Sequence, residues 1–261
     1  MLLYNSKILS FFIQIIAGII GIYALLQKSP SQIIPLKSSL FIEMFVQLIQ
    51  MSIYTWLILS FYVPTMSLIR YIDWFLTTPL MLISLMLYFN YENNLNNLNN
   101  LNNLNNLNTG DLNNNQEEYK KELETNYISN ISNFIKINKE VILIVIISNA
   151  FMLFFGLIGE LKYISKNLAI LLGFLALILS LYVIYNKFVL TSKAIYIFIP
   201  FSIIWSLYGV AYMFNEIPKN IMYNFLDIIA KNFFGIFLSI KLINEINKNN
   251  EINKNNENNE I

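Results

Sequence analysis

Apolar residues fall in seven long blocks along this chain, and the few polar residues inside the blocks recur at helical spacing. The blocks run over about Ile8–Leu26, Leu40–Tyr62, Met66–Phe89, Val141–Leu161, Leu168–Tyr185, Ile195–Phe214 and Ile221–Leu242. Each approaches the roughly 20 apolar residues that carry an α-helix across a hydrocarbon core. The pattern predicts an all-α membrane protein, a seven-transmembrane-helix bundle in which every connection but one is short.

The polar interruptions are aligned. In the third block Arg70, Asp73 and Thr77 stand at i, i+3 and i+7 and share one helix face. In the seventh, Asn220, Asn224, Asp227 and Lys231 share another. Ionised side chains inside a span are expensive and mark functional sites by default. Two carboxylates and two cations neutralise one another only if they meet inside the bundle. The plainer reading is an ion-pair cluster that fixes helix register.

The second block carries a polar stripe of its own, Glu43, Gln47, Gln50 and Tyr54, at spacings of four, three and four. Such a face cannot look at lipid and must face the interior or a wet cavity. A lone Gln there would be read as hydrogen-bonding glue between helices. Four aligned groups, one of them a carboxylate, point to a hydrated path.

Composition works mainly by exclusion. Of 261 residues 56% are hydrophobic and 13% charged, and the net charge of +1 gives no reason to expect a nucleic-acid partner. An ordinary soluble domain carries about 25% charged residues. There is no Cys and no His, so disulfides, thiolate metal sites, Cys nucleophiles and His bases are excluded. No phosphate-cradling Gly loop, metal-ligand cluster or nucleophile triad supports an enzyme, and no metal is expected.

The amino terminus, MLLYNSKILSFFIQII, has no small-residue cleavage site and reads as a retained first helix. Lys28, Lys37, Lys120, Lys121, Lys136, Lys139, Lys187, Lys193, Lys248 and Lys254 gather on one side, against Lys7, Lys162, Lys166 and Lys219 on the other. The excess of basic loop residues on the cytoplasmic side puts the amino terminus outside and the carboxyl terminus in the cytoplasm. Residues 91–125 hold an Asn-rich repeat with Leu at every third position, and 243–261 a similar tail. A period of three suits neither helix nor strand burial, so both are read as disordered cytoplasmic segments around one domain, 1–242.

The segment RYIDWFLTTPL, with D-x-x-x-K in the last block, resembles the microbial rhodopsins. That resemblance implies all-trans retinal held as a protonated Schiff base on Lys231, with Asp73 as counterion and proton acceptor and Asp227 beside it. It makes Arg70 the organiser of an extracellular hydrogen-bond network and has Thr77 bond back to Asp73. Trp74, Thr78 and Met81 would contact the retinal, and SNAFMLFFGLIGE would place Met152 and Gly156 at its ring end, with Asn149 on the same side. WSLYGVAY is similar to the family's W-S-x-Y-P-x-x-W segment, which implies aromatic walls at Trp205, Tyr208 and Tyr212, with Gly209 where the family usually has Pro. Leu177 is a further candidate wall.

Efficient outward proton pumps of the family carry a carboxylate eleven residues after the counterion; here that position is Ser84, with no titratable proton near neutral pH. A second-span Glu, a polar residue seven further on and a seventh-span Asn beside the Schiff base resemble the first group of viral rhodopsins of giant viruses. In that group such positions line a light-gated cation path, although a second Glu tends to stand where this chain has Gln50. The expectation is a retinal-binding photoreceptor acting as a light-gated cation channel through Glu43, Gln50 and Asn224. The alternatives are a light-driven proton pump with a slow photocycle and a sensory photoreceptor without net transport. The implied partners are the lipid bilayer, retinal, permeating cations or protons, and further copies of the chain in a homo-oligomer. The implied location is that of a multi-pass integral membrane protein, in a host cell membrane if the chain is viral.

Overall fold

The structure is a computed structural model that describes residues 1–59, 63–105 and 126–259. It is helical almost throughout, and no strand occurs among the described residues. In chain order the helices are α1 (Leu2–Leu26), α2 (Ile34–Leu59, entered through a 3-10 turn at Ser31–Ile33), α3 (Val63–Asn105) and α4 (Tyr127–Ile137). They continue with α5 (Lys139–Glu160), α6 (Lys166–Phe188) and α7 (Ser192–Tyr212). The last span is α8 (Glu216–Asp227), a π-helical turn (Ile228–Phe233) and α9 (Phe234–Asn259) end to end.

α1, α2, α3, α5, α6 and α7 are each long and apolar enough to cross a bilayer. The seventh span carries Asn224, Asp227 and Lys231 in its middle, which dilutes its apolar character while leaving its length intact. These spans form a seven-helix bundle with α3 at its centre, in contact with α2, α5, α6, α7 and α8.

The outer face of the bundle is apolar, while its interior mixes a hydrophobic core with buried polar side chains. In α1 the inward positions are Ser6, Ser10, Gln14, Ala17 and Gly21, whereas Leu9, Phe12, Ile16 and Ile19 lie exposed on the outer face. Lipid is as apolar as leucine, so helix packing is left to small and hydrogen-bonding residues. Side-chain caps start the later spans: the Ser165 hydroxyl accepts from Leu168 N–H, and the Thr191 hydroxyl accepts from Ala194 N–H.

The helix of the third span runs without a break from the membrane segment into the Asn/Leu repeat as far as Asn105. Tyr91 and Glu92 are buried and Leu95 packs on the core, so the helix is already nucleated where the repeat begins. Propagation then needs only a weak preference per residue, which Asn does not forbid. The tail is likewise helical through Asn259, with Ile246 buried against the bundle. Residues 106–125 of the expected disordered insert, and 260–261 of the tail, lie outside the described residues.

Candidate functional site

The aligned charges of the third and seventh spans do meet. Lys231 Nζ lies 2.7 Å from Asp73 Oδ2 and 3.7 Å from Asp227 Oδ1, and all three side chains are at most 1% exposed. The carboxylates differ in how they are held. Asp227 Oδ2 accepts from the Tyr54 hydroxyl at 2.7 Å and from Arg70 Nη1 at 3.2 Å, while Oδ1 accepts from the Tyr208 hydroxyl at 2.8 Å. Asp73 Oδ2 accepts from Lys231 alone, and its Oδ1 has no hydrogen-bond partner among the described residues.

Arg70 is the hub on the other side of Asp227. Its Nε donates to Asn220 Oδ1 at 2.8 Å and its Nη2 donates to Asn224 Oδ1, while its guanidinium sits between the rings of Tyr54 and Tyr223. Asn224 Nδ2 donates to the Ser6 hydroxyl of α1 at 2.7 Å. Asn224 thus belongs to the Arg70–Asp227 network and makes no bond with the Lys231 nitrogen beside which the sequence places it. Thr77 does bond back to Asp73, but to its backbone carbonyl at 2.9 Å and not to its carboxylate. A threonine hydroxyl bonding to the carbonyl four residues earlier is its ordinary alternative inside a helix.

Lys231 stands at the wall of an apolar cavity. Trp74, Thr78, Met81, Met152, Gly156, Trp205, Tyr208 and Tyr212 line it together with Lys231, so every residue expected to touch the retinal borders one space. Leu177 and Gly209 border it as well. The two glycines keep it open: a Cβ on Gly209 would stand 2.7 Å from the Phe174 ring, and one on Gly156 would stand 2.5 Å from the Tyr71 hydroxyl oxygen. An aromatic-walled space with a single amine on its wall suits an apolar polyene aldehyde joined to that amine, and retinal is such a molecule. Asn149 Nδ2 donates to the Thr78 hydroxyl at 2.7 Å, tying α5 to α3 beside the cavity.

The second-span stripe faces inward along its length: Glu43, Gln47, Gln50 and Tyr54 are all buried. Tyr54 is bound to Asp227 and Asn224. The polar atoms of Glu43, Gln47 and Gln50 find no partner among the described residues, nor does Gln14 Oε1 on α1 or either polar atom of the Asn232 side chain. Ser84 is engaged elsewhere, exchanging hydrogen bonds with Ser39 of α2 (Ser39 Oγ to Ser84 O 2.7 Å, Ser84 Oγ to Ser39 O 3.0 Å).

Several contributors lie outside the sequence-based set. Ser6, Ser39, Tyr71, Tyr223 and Asn232 carry no signal singly, since isolated polar or aromatic residues on membrane helices are commonplace. Lys219 and Lys7, counted above as loop lysines, are both buried. Lys219 Nζ is clamped between Glu160 at 2.5 Å and Glu216 at 2.6 Å, and Lys7 Nζ donates to the Leu57 carbonyl at 2.6 Å.

A family model described as bacteriorhodopsin-like protein matches residues 5–244. The fold is similar to that of viral rhodopsin OLPVRII, with a TM-score of 0.69 and 22% identity over 92% of this chain and 96% of that one. It is similar also to a blue light-absorbing proteorhodopsin from Med12 (TM-score 0.61, 19% identity, 93% and 97% covered). Acetabularia rhodopsin I gives 0.62 and 15%, over 94% and 96%. Among curated proteins none matches.

Proposed function

The chain belongs to the bacteriorhodopsin-like family, and from that premise we propose that it is a light-gated cation channel. Its members bind retinal through a lysine and work as photoreceptors, pumps or channels in the membrane, and this chain is a multi-pass integral membrane protein of that kind. Retinal, when bound, supplies the absorption of light and the isomerisation that follows. Lys231 is the lysine on the cavity wall and is proposed to carry it.

The residues around Lys231 divide the work. Asp227 has both oxygens committed to Tyr54, Arg70 and Tyr208, whereas Asp73 keeps one oxygen free of partners among the described residues. A proton leaving the lysine nitrogen therefore goes to Asp73, whose Oδ2 accepts from that nitrogen at 2.7 Å and whose carboxylate has no other donor among the described residues to give up. Neutralising Asp73 leaves Asp227 and Arg70 as the charged pair next to Tyr54, the last residue of the second-span stripe. The charge change thus falls at a nitrogen 3.7 Å from Asp227, the carboxylate that Tyr54 holds at the end of that stripe.

The observation that carries the reading is the set of buried polar groups without partners among the described residues: the side chains of Glu43, Gln47, Gln50 and Asn232, and Oε1 of Gln14. Leaving one such group unsatisfied costs about 1–3 kcal/mol, more for a charge. Five on the neighbouring spans α1, α2 and the π turn are hard to account for as packing, and they suit a path along which water or a partly dehydrated cation is held. Ser84, locked to Ser39 and without a titratable proton, suits passive flow better than a pump that must reprotonate from that side.

Whole-cell voltage clamp with retinal and light flashes tests this. A photocurrent that reverses with voltage at a potential set by the cation gradient supports the channel. An outward current that never reverses would favour the pump, for which the 2.7 Å Lys231–Asp73 contact is the supporting observation. A coloured protein that passes no current would leave a photosensor. The orientation in the membrane, amino terminus outside, and assembly into a homo-oligomer belong to the same proposal.

A further inference from the structure

At the end of the bundle remote from Arg70, the third and seventh spans are joined by a second buried charge pair. Glu92 of α3 is 1% exposed and forms an ion pair with Lys241 of α9, itself 19% exposed. The ammonium lies over the ring of Tyr88 at 5.5 Å and near that of Tyr91 at 5.9 Å. A carboxylate this deeply buried is tolerable only with its cation in place, so separating the two is strongly unfavourable unless water enters. An open form of the pair would therefore have to be a hydrated one.

A file of touching aromatic rings connects the pair to the cavity. Trp205, a cavity wall, packs on Phe201 with ring centres 4.7 Å apart. Phe201 meets Phe234 at 6.4 Å, Phe234 stacks on Phe237 at 6.3 Å, and Phe237 meets Tyr88 edge-on at 5.5 Å. Phe234 also directly follows the π turn that holds Lys231. The cavity wall and the turn that holds the lysine are thus joined, ring against ring, to the ring on which Lys241 rests.

We propose that Glu92 and Lys241 form a light-released latch between the third and seventh spans, driven from the retinal cavity through Phe201, Phe234, Phe237 and Tyr88. The proposal rests on retinal binding in the cavity and not on the channel reading. Contiguous contact is not yet coupling, so the decisive test cuts the file and watches the latch.

The test is light-minus-dark infrared difference spectroscopy on the purified, retinal-loaded full chain. The Glu92 carboxylate band is assigned by its loss in Glu92→Gln, or by its displacement in Lys241→Arg where Glu92→Gln does not fold. Illumination should shift the Glu92 band away from its paired position. Phe237→Leu, which leaves the cavity lining untouched, should keep the visible absorption and abolish that shift. A Glu92 band unmoved by light in the unsubstituted protein, or the same shift persisting in Phe237→Leu, overturns the latch. No ion flow enters this measurement, so a protein without photocurrent can still pass it, and a channel can fail it.

Discussion

Asp73 and Lys231 approach to 2.7 Å in the middle of the bundle, through only one of the two Asp73 oxygens. Asp227, 3.7 Å from the same nitrogen, has neither oxygen free. Two carboxylates beside the same amine, one from its own helix and one from the third span, are thus held differently. Asp73→Asn should abolish the light-triggered protonated-carboxyl band near the retinal, while Asp227→Asn should keep it. Time-resolved infrared difference spectra decide, and equal loss in both variants would contradict the assignment.

The second-span stripe makes a gain-of-function prediction. Gln50 is fully buried with both polar atoms unpartnered among the described residues. Gln50→Glu should enlarge the reversible photocurrent by adding a second carboxylate to the path, and Glu43→Gln should diminish it. Absorption should change little in either. A Gln50→Glu current no larger than that of the unsubstituted protein, at equal expression, would count against the path.

Gly209 sets the room available to the chromophore. Its Cβ would approach the Phe174 ring, itself a cavity wall, to 2.7 Å, so Gly209→Ala must displace that wall. Overpacking of this kind costs about 1–3 kcal/mol, or roughly a 5- to 150-fold loss in retinal affinity. Titrating the protein with retinal and reading the visible absorbance measures it.

Tyr54 ties three spans by donating to Asp227 at 2.7 Å beside Asn224 and Arg70. Tyr54→Phe keeps the ring and removes the donor, at about 1.5–3 kcal/mol for a bond to a charged acceptor. The midpoint of thermal bleaching should fall accordingly.

Glu216 lies at the start of α8, outside the membrane core. Partial burial works to raise its carboxyl, but Lys219 at 2.6 Å and the Ser67 hydroxyl at 3.1 Å outweigh that and hold it below its ordinary 4.5. A carboxylate lowered by folding stabilises the fold above its unfolded value and loses that contribution as the pH falls through the folded one. Thermal bleaching should therefore accelerate as the solution is acidified below about pH 4.5, and Glu216→Gln should flatten the dependence.

The bundle was legible because lipid imposes long apolar runs and helical spacing shows which polar residues share a face. Arg70, Asp73, Asp227 and Lys231 stand out for the same reason: charges in such runs have nowhere to go but inward. Lys219 and Lys7 escaped because a lysine near a span end reads as a loop residue, and only the fold shows Glu160 and Leu57 closing over them. Glu92 escaped because it sits where the apolar block gives way to the repeat, and its partner lies far along the chain.

The π turn at Ile228–Phe233 takes in one residue more than an α-helical turn would. The buried face nevertheless runs through it without a change of register: Asn224, Asp227, Lys231, Gly235, Leu238 and Leu242 follow one another at steps of three and four residues. Deleting one residue there would leave composition and hydropathy almost unchanged, yet turn one half of that face by about 100° away from its partners while the other half stayed in place.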